Sequence, residues 1–323
     1  MAARSTAFVG LLLAPLALLS CSSDNSAAGS AGSGGAAGSA GSAGSAGSAG
    51  SAGASTGGSS GVGNRFDEKR TLNIAHRGGG KLAPEATLLA FETALANGAD
   101  VLEFDLHASS DGKLVILHDD TVERTTDGTG AVKDLTFDEL RKLDAAYDFS
   151  LDGGQTFPQR GKGITIPTPE EVFAQFPSAW FVIEIKQETP SIVGTFATLL
   201  DTLKLSDRVL VGSFKASTIQ AFRAAAPGVR TSFALDEVIA FISLSAAQEA
   251  GYKPPGEFLQ VPVAQGPIEV VNAASVEKAK RLGLGVHVWT INDPTEMGAL
   301  IDLGVAGIIT DDPKTLADVL STK

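Results

Sequence analysis

The sequence predicts an α/β fold of repeated strand and helix units, and three observations carry that prediction. First, the opening 66 of the 323 residues hold only three charged side chains, Arg4, Asp24 and Arg65, which leaves 323 − 66 = 257 residues as one block. About 250 residues suits either a single α/β barrel or two small domains. Second, short β-rich runs recur in the block at 72–76, 101–107, 114–118, 180–186, 209–213, 229–235, 258–263, 286–291 and 307–310. Helical patterns lie between most of them, at 85–97 before Gly98, 189–203, 216–226 and 274–282 before Gly283. Third, these nine runs exceed the eight strands of a (β/α)8 barrel by one, and a hairpin accounts for the excess. Runs 101–107 and 114–118 have only Asp111-Gly112 and its neighbours between them, too little for the crossover helix that parallel strands need.

Taken from the N-terminus, the chain begins with an address. Arg4 precedes an apolar run at 8–19 that contains Pro15. This run falls short of the roughly 20 residues that span a bilayer, so 1–20 reads as a signal peptide. Leu18-Leu19-Ser20-Cys21 resembles the lipobox of bacterial lipoproteins. That resemblance implies cleavage before Cys21, its acylation as a lipid anchor, and a place in the bacterial cell envelope. Ser22 stands where an inner-membrane retention signal typically has Asp, which favours the outer membrane. A secretory signal cut at another small residue is the alternative.

Segment 21–66 is compositionally distinct. Fourteen of the 37 glycines fall between 22 and 66, and Gly, Ser and Ala repeat with a three-residue period from 28 to 54. Collagen shares the period but needs proline, which is absent here. Such a tract offers too little apolar surface to offset its ordering entropy and reads as a flexible tether. Some 45 residues of random coil span about 35 to 40 Å.

The block 67–323 carries 23 basic and 36 acidic side chains, the chain totals of 25 and 37 less Arg4, Arg65 and Asp24. With no basic run, it is not a nucleic-acid surface. Cys21 is the single cysteine, which excludes an internal disulfide and a cysteine-rich zinc site. Its apolar content excludes disorder.

Chemistry concentrates at strand ends. In 99–106, Val101, Glu103 and Asp105 share one face and Leu102, Phe104 and Leu106 the other. Under helices the apolar face would turn outward, leaving two carboxylates inward. Buried carboxylates need a cation or hydrogen-bond donors, and these hard oxygen ligands suit Ca²⁺ or Mg²⁺. A two-residue turn at Asp111-Gly112 would pair residues summing to 223 and set Asp105 opposite His118. Glu184 and Lys186 share a face of the next strand, so a carboxylate and an ammonium point the same way. His76, Arg77, Trp289 and Asn292 sit at further strand ends. Each admits a plainer reading: a bonded core histidine for His76, a surface charge for Arg77, core packing for Trp289. Gly78, Gly79 and Gly80 suit a permissive turn, and His107 and His287 read as structural.

Together these residues resemble the glycerophosphodiester phosphodiesterases. His76-Arg77-Gly78, Pro84-Glu85-Ala86-Thr87, Glu103-Phe104-Asp105, Asp111-Gly112, His118-Asp119, Glu184-Ile185-Lys186, Trp289-Thr290-Ile291-Asn292 and Gly307-Ile308-Ile309-Thr310-Asp311 occur in that family's order and approximate spacing, across nearly all of 67–323. The resemblance implies a TIM-type (β/α)8 barrel with a small insertion after the second catalytic histidine, at about 120–165. It makes Glu103, Asp105 and Glu184 ligands of a divalent cation, Ca²⁺ or Mg²⁺, and His76 and His118 the acid/base pair. Arg77 and Lys186 match phosphate contacts, and Trp289 is a candidate substrate platform. The family usually has Asn where Ala86 stands, so a hydrogen bond near the site is in doubt. The implied reaction is hydrolysis of a glycerophosphodiester to glycerol 3-phosphate and an alcohol, with His118 as base and His76 as acid or the reverse. The first nucleophile is water or the substrate's own 2-hydroxyl. Alcohol specificity is expected in the loops 120–165 and 236–257; the residues fix neither the head group nor an oligomeric state.

Two rivals remain at this stage. A sphingomyelinase D-type lyase would share the barrel, but its first histidine and Glu-x-Asp element lie closer than the 103 − 76 = 27 residues here, and its third carboxylate is usually Asp. A noncatalytic surface lipoprotein would have no physical need for both histidines, three carboxylates, Arg77 and Lys186 together.

Overall fold

The computed structural model describes residues 64–323, so the signal peptide, Cys21 and the repeat tract lie outside the described residues. The strands are β1 (Leu72–Ala75), β2 (Val101–Ala108), β3 (Leu114–Ile116), β4 (Phe181–Ile185), β5 (Val209–Gly212), β6 (Arg230–Thr231), β7 (Phe258–Val261), β8 (Ala264–Gln265), β9 (Ile268–Glu269), β10 (Gly285–Val288) and β11 (Gly307–Thr310). The helices are α1 (Leu88–Ala96), α2 (Phe137–Leu140), α3 (Pro169–Gln175), α4 (Val193–Leu203), α5 (Ala216–Ala225), α6 (Leu235–Ile242), α7 (Ala246–Glu249), α8 (Ala273–Arg281), α9 (Pro294–Leu303) and α10 (Pro313–Leu320).

Eight strands pair in parallel in the order β6-β5-β4-β2-β1-β11-β10-β7. The ends of that ribbon meet through a bridge between Ser232 and Phe258, where Phe233 N donates to Phe258 O at 2.9 Å and Glu257 N to Thr231 O at 2.9 Å. The result is a nearly closed (β/α)8 barrel, as expected. All eight residues of β2 are buried because one face fills the barrel and the other lies under helices. Leu102, Phe104 and Leu106 join Phe91 of α1, Phe173 of α3 and Phe196 of α4 in the outer core. Leu72, Ile74, Val101, Val182, Leu210, Phe258 and Ile309 fill the interior. The alternation read from the sequence therefore places Glu103 and Asp105 inward.

Helix starts follow their caps. Thr87 accepts from Ala90 N, and Thr168 with Glu171 forms a capping box before Pro169. Because Thr87 is the cap, α1 begins at Leu88 and not near Glu85. Gly98 and Gly283, with φ of 88° and 73°, stop α1 and α8 as the sequence suggested.

Three expectations need correction. The hairpin register is one residue off, since Leu106 pairs with Ile116 and His107 with Val115, both summing to 222. Gly112 N bonds Ser109 O and Ser109 N bonds Lys113 O, both at 2.9 Å, so the turn has three residues with Gly112 (φ 81°) as its left-handed member. Asp105 then faces Leu117, whose N donates to Asp105 O at 3.2 Å, and not His118. Stretch 236–257 contains α6 and α7 in place of a loop, with Val238 and Phe241 buried against Leu259 and Val286. The segment 120–165 has a core of its own, in which Val122, Val132, Leu140 and Ala145 pack on Val115 and Leu117.

The barrel base is closed by residues ahead of β1. Phe66 is 6% exposed and meets the rings of Trp180 and Phe258 edge-on at 5.6 and 5.8 Å. Arg65 and Arg70 both bond Asp100 at 2.7 Å, and Arg230 bonds Asp67 at 2.8 Å. The packed unit thus takes in Phe66, one residue before the compositional boundary at 67. Phe66→Ala should lower unfolding stability by about 3 kcal/mol or more, as large aromatic deletions in cores do, measured by urea titration. An unchanged midpoint would show that Phe66 does not close the base.

Candidate active site

The inward carboxylates of β2 sit near the strand's C-terminal end, where barrel enzymes carry their chemistry. Asp105 is in register with Glu184 on neighbouring β4. Just beyond β4, Lys186 Nζ donates to Glu184 Oε2 at 2.8 Å and lies 3.3 Å from Asp105 Oδ1. Beyond β1, the Arg77 backbone N donates to Glu103 Oε2 at 2.7 Å, and its guanidinium reaches Glu85 at 3.1 Å and Asp105 at 3.7 Å. Arg77 takes a left-handed φ of 52°, unfavourable for a side chain of this kind; its bonds to Glu103 and Glu85 hold it there.

The two histidines are built alike. His76 Nδ1 donates to Asp311 Oδ1 at 2.7 Å, and His118 Nδ1 to Asp119 Oδ1 at 2.8 Å. A carboxylate only accepts, so each Nδ1 carries the proton and each Nε2 is left to exchange one with a substrate. Asp311 is braced by Asn292, whose Nδ2 donates to Oδ2 at 2.8 Å and whose Oδ1 accepts from Thr310 Oγ1 and Asp311 N, both at 3.0 Å. Arg124 Nε donates to the second oxygen of Asp119, and its Nη atoms grip Glu85 at 2.9 and 2.7 Å.

The cluster's electrostatics are those of crowded buried charge. Burial first, and then the neighbouring Asp105, push the Glu103 carboxyl up to about 7. Burial acts on Asp105 too, but Lys186, then His118 and Arg77, hold it down at about 2. Glu184 is raised by burial, with Lys186 opposing. Burial works against charging His76, yet the bond to Asp311 and the charge of Glu103 keep it above its usual value.

Asp105 Oδ2 is buried without a hydrogen-bond partner. An orphaned acceptor between two further carboxylates is the environment a cation relieves, and an all-oxygen set fits a hard one. Among the described residues no three ligands stand in a ready coordination sphere. Glu103 is turned to the Arg77 N–H, and Lys186 holds Asp105 and Glu184.

The structure thus brings His76, Arg77, Glu103, Asp105, Glu184 and Lys186 into one cluster, with His118 close enough to act on Asp105 electrostatically. Trp289 meets the Phe214 ring edge-on at 5.9 Å, and that ring is 5.9 Å from Lys186 Nζ, so it flanks the cluster. Cys21 lies outside the described residues. His287 is a core residue, with both ring nitrogens unpartnered and its pKa pushed down to about 3 by burial. His107 is also buried, with Nε2 3.4 Å from His118 O. Gly78 and Gly79 take left-handed φ of 81° and 85°, the permissive turn expected, and they also pack closely: a Cβ on Gly78 would come within 2.8 Å of Ala90, and one on Gly79 within 2.9 Å of Pro313. Ala86 has φ 58° with its N bonded to Arg77 O at 2.8 Å, so the position selects for left-handed backbone, which Asn adopts more readily than Ala.

Sequence reasoning missed the braces. Asp119 and Asp311 stood in quoted motifs without a role, and adjacency to His118 was the available signal for the first. Nothing in the spacing pointed to Arg124.

The profile of the glycerophosphoryl diester phosphodiesterase family matches residues 76–315. The chain is 35% identical over 257 residues to a glycerophosphodiester phosphodiesterase of Caldanaerobacter subterraneus subsp. tengcongensis, covering 78% of this chain and 98% of that one. It is 32% identical over 265 residues to one from Bacillus subtilis, covering 78% and 87%. Its fold matches the crystal structure of glycerophosphodiester phosphodiesterase from Agrobacterium tumefaciens with a TM-score of 0.63 at 28% identity, over 77% of this chain and 99% of that chain. It also matches an Oleispira antarctica phosphodiesterase in complex with the product sn-glycerol-3-phosphate, with a TM-score of 0.62 at 26% identity over 77% and 96%. Fold, cluster and relatives agree: the chain belongs to the glycerophosphoryl diester phosphodiesterase family.

Proposed function

We propose that the chain hydrolyses glycerophosphodiesters to glycerol 3-phosphate and an alcohol by histidine acid/base catalysis that depends on a divalent cation. The observation that carries this reading is the pair of carboxylate-braced imidazoles, His76 and His118, around one cluster of carboxylates and cations. The product named for the Oleispira relative supports it.

Glu103, Asp105 and Glu184 would hold the cation, Ca²⁺ or Mg²⁺. Bound there, it supplies a Lewis-acidic charge for a phosphate oxygen. Arg77 and Lys186 bind and neutralise the phosphoryl oxygens. His118 Nε2 takes the proton of the nucleophile, water or the glycerol 2-hydroxyl, as its oxygen bonds phosphorus. His76, which holds its proton to higher pH than an ordinary imidazole, gives it to the leaving alkoxide as the P–O bond breaks. If the 2-hydroxyl attacks first, water opens the cyclic phosphate in a second step. The test incubates the protein with a panel of glycerophosphodiesters, after chelation and with each metal restored. Glycerol 3-phosphate equal to the alcohol released is expected. A lasting cyclic phosphate from a choline lipid would instead identify a lyase.

We also propose that acylated Cys21 anchors the chain in the bacterial envelope, through the outer membrane. The Leu-Leu-Ser-Cys sequence, followed by the Gly, Ser and Ala repeat at 28–54, supports this. Cys21→Ser should move the protein from the membrane to the soluble fraction and abolish palmitate labelling. Unchanged fractionation would refute the anchor.

A further inference from the structure

We propose that Arg124 is a positioning residue that holds His118 in its working orientation through Asp119. The proposal rests on the reading of His118 as an acid/base group.

The two histidines take identical first partners and different second ones. His76 is braced from within the barrel. Thr310 ends β11, Asp311 follows it, and Asn292 stands in the loop after β10, the parallel neighbour of β11. The bond from Ile291 N to Ile309 O at 3.0 Å and those of Asn292 to Thr310 and Asp311 keep these three side chains together. His118 has no such frame, because β3 ends at Ile116 and Asp119 leads into the segment with its own core. A carboxylate bonded through one oxygen can still swing about its own side-chain torsions. Asp119 is fixed at both: His118 takes Oδ1 and Arg124 Nε takes Oδ2. Arg124 is fixed in turn, since its Nη1 and Nη2 form a parallel fork with Oε2 and Oε1 of Glu85 at 2.9 and 2.7 Å. Glu85 precedes α1 and accepts from Arg77, whose backbone N holds Glu103. One chain of charge-assisted bonds thus ties His118 to the barrel loop that shapes the carboxylate cluster, and Arg124 is the only link in it contributed by the insertion.

The geometry separates this role from a stabilising one. The Arg124 side chain is 47% exposed, and ion pairs at that exposure contribute little to folding. Its planar fork is suited to orientation, which lysine cannot reproduce at three points. Loss of Arg124 should appear in turnover and leave stability nearly unchanged.

The experiment compares Arg124→Met, Arg124→Lys and Arg124→Ala with Asp119→Ala, His118→Ala and the double variants, in the full protein with metal present. For Arg124→Met we expect kcat to fall about 10- to 100-fold, the size typical of partners that orient reactive ligands, with KM changed less than about threefold. Thermal midpoints should stay within a few degrees, and Arg124→Lys should recover only part of the loss. Methylguanidinium added to Arg124→Ala should restore part of its turnover. In the Asp119→Ala or His118→Ala background the Arg124 change should add nothing, because residues acting as a unit are not additive. A raised KM with unchanged kcat would show that Arg124 contacts substrate directly and overturn the proposal, as would full additivity with Asp119→Ala. Normal turnover in Arg124→Met beside an inactive His118→Ala would overturn this proposal alone. An active His118→Ala would instead overturn the reading of His118 on which it rests.

Discussion

Replacing His118 with alanine should lower kcat on glycerophosphodiesters by about 10²- to 10⁴-fold, the usual contribution of a positioned acid or base. His76→Ala should lose a comparable factor, and the two variants should part company when the leaving group is changed. An alcohol needs a proton as it departs, whereas p-nitrophenolate does not. His76→Ala should therefore recover most of its turnover on a p-nitrophenyl phosphodiester, and His118→Ala should not. Recovery in the His118 variant alone would exchange the two roles. A loss of only a few fold in both would remove histidine catalysis altogether. The pH dependence has a definite sign. The proposed acid must be protonated, and the bond to Asp311 and the Glu103 charge raise the pKa of His76 against burial, so activity should fall as pH rises through that raised value. Asp311→Asn removes the negative charge beside the imidazolium and should move this alkaline limb to lower pH. A limb that stays in place would show that His76 is not the acid.

Chelation should abolish turnover, and restoring Ca²⁺ or Mg²⁺ should return it. The same cation should stabilise the fold, more strongly in alkaline than in acidic solution. Glu103 has a folded pKa near 7 against an ordinary value of 4.5, so its favourable contribution is complete below about 4.5 and is lost as pH rises through 7. Asp105 behaves oppositely. Its folded value near 2 gives stability that is present above an ordinary 3.8 and lost as pH falls toward 2. Above both limits, at pH 8, the cation-free protein carries a costly Glu103 anion, and a cation bound there removes that cost. At a free concentration 100 times its Kd, a cation contributes about 2.7 kcal/mol, roughly 5 to 10 °C for a domain of this size. Thermal melts with and without cation at pH 5.5 and pH 8 measure the difference, and Asp105→Asn should erase it. Equal shifts at both pH values would place the cation elsewhere.

Much of this molecule is legible in its sequence, for reasons that differ by residue. Alternation on β2 told the inside from the outside because one face had to meet α1, α3 and α4, and only Leu102, Phe104 and Leu106 could. The nine strand runs were legible because each is bounded by turn residues. The hairpin register was not, because a two-residue turn and a three-residue turn with Gly112 left-handed leave the same Asp-Gly signature. Helices α6 and α7 were hidden because they are short, eight and four residues, so each shows the helical period only briefly before Phe241 finds Leu259. At the site, groups whose identity matters were readable: His76, His118, Glu103, Asp105, Glu184 and Lys186 recur at strand ends. Groups whose placement matters were not. Arg124 is an unremarkable surface arginine until two loops distant in sequence bring Asp119 and Glu85 to either side of it.

Phe66 marks the pole of the barrel opposite the candidate site. It sits against Trp180 and Phe258, at the entry ends of β4 and β7, whereas His76, Lys186 and Asp311 stand at the exit ends of their strands. The polypeptide therefore comes into the barrel at one pole and does its chemistry at the other.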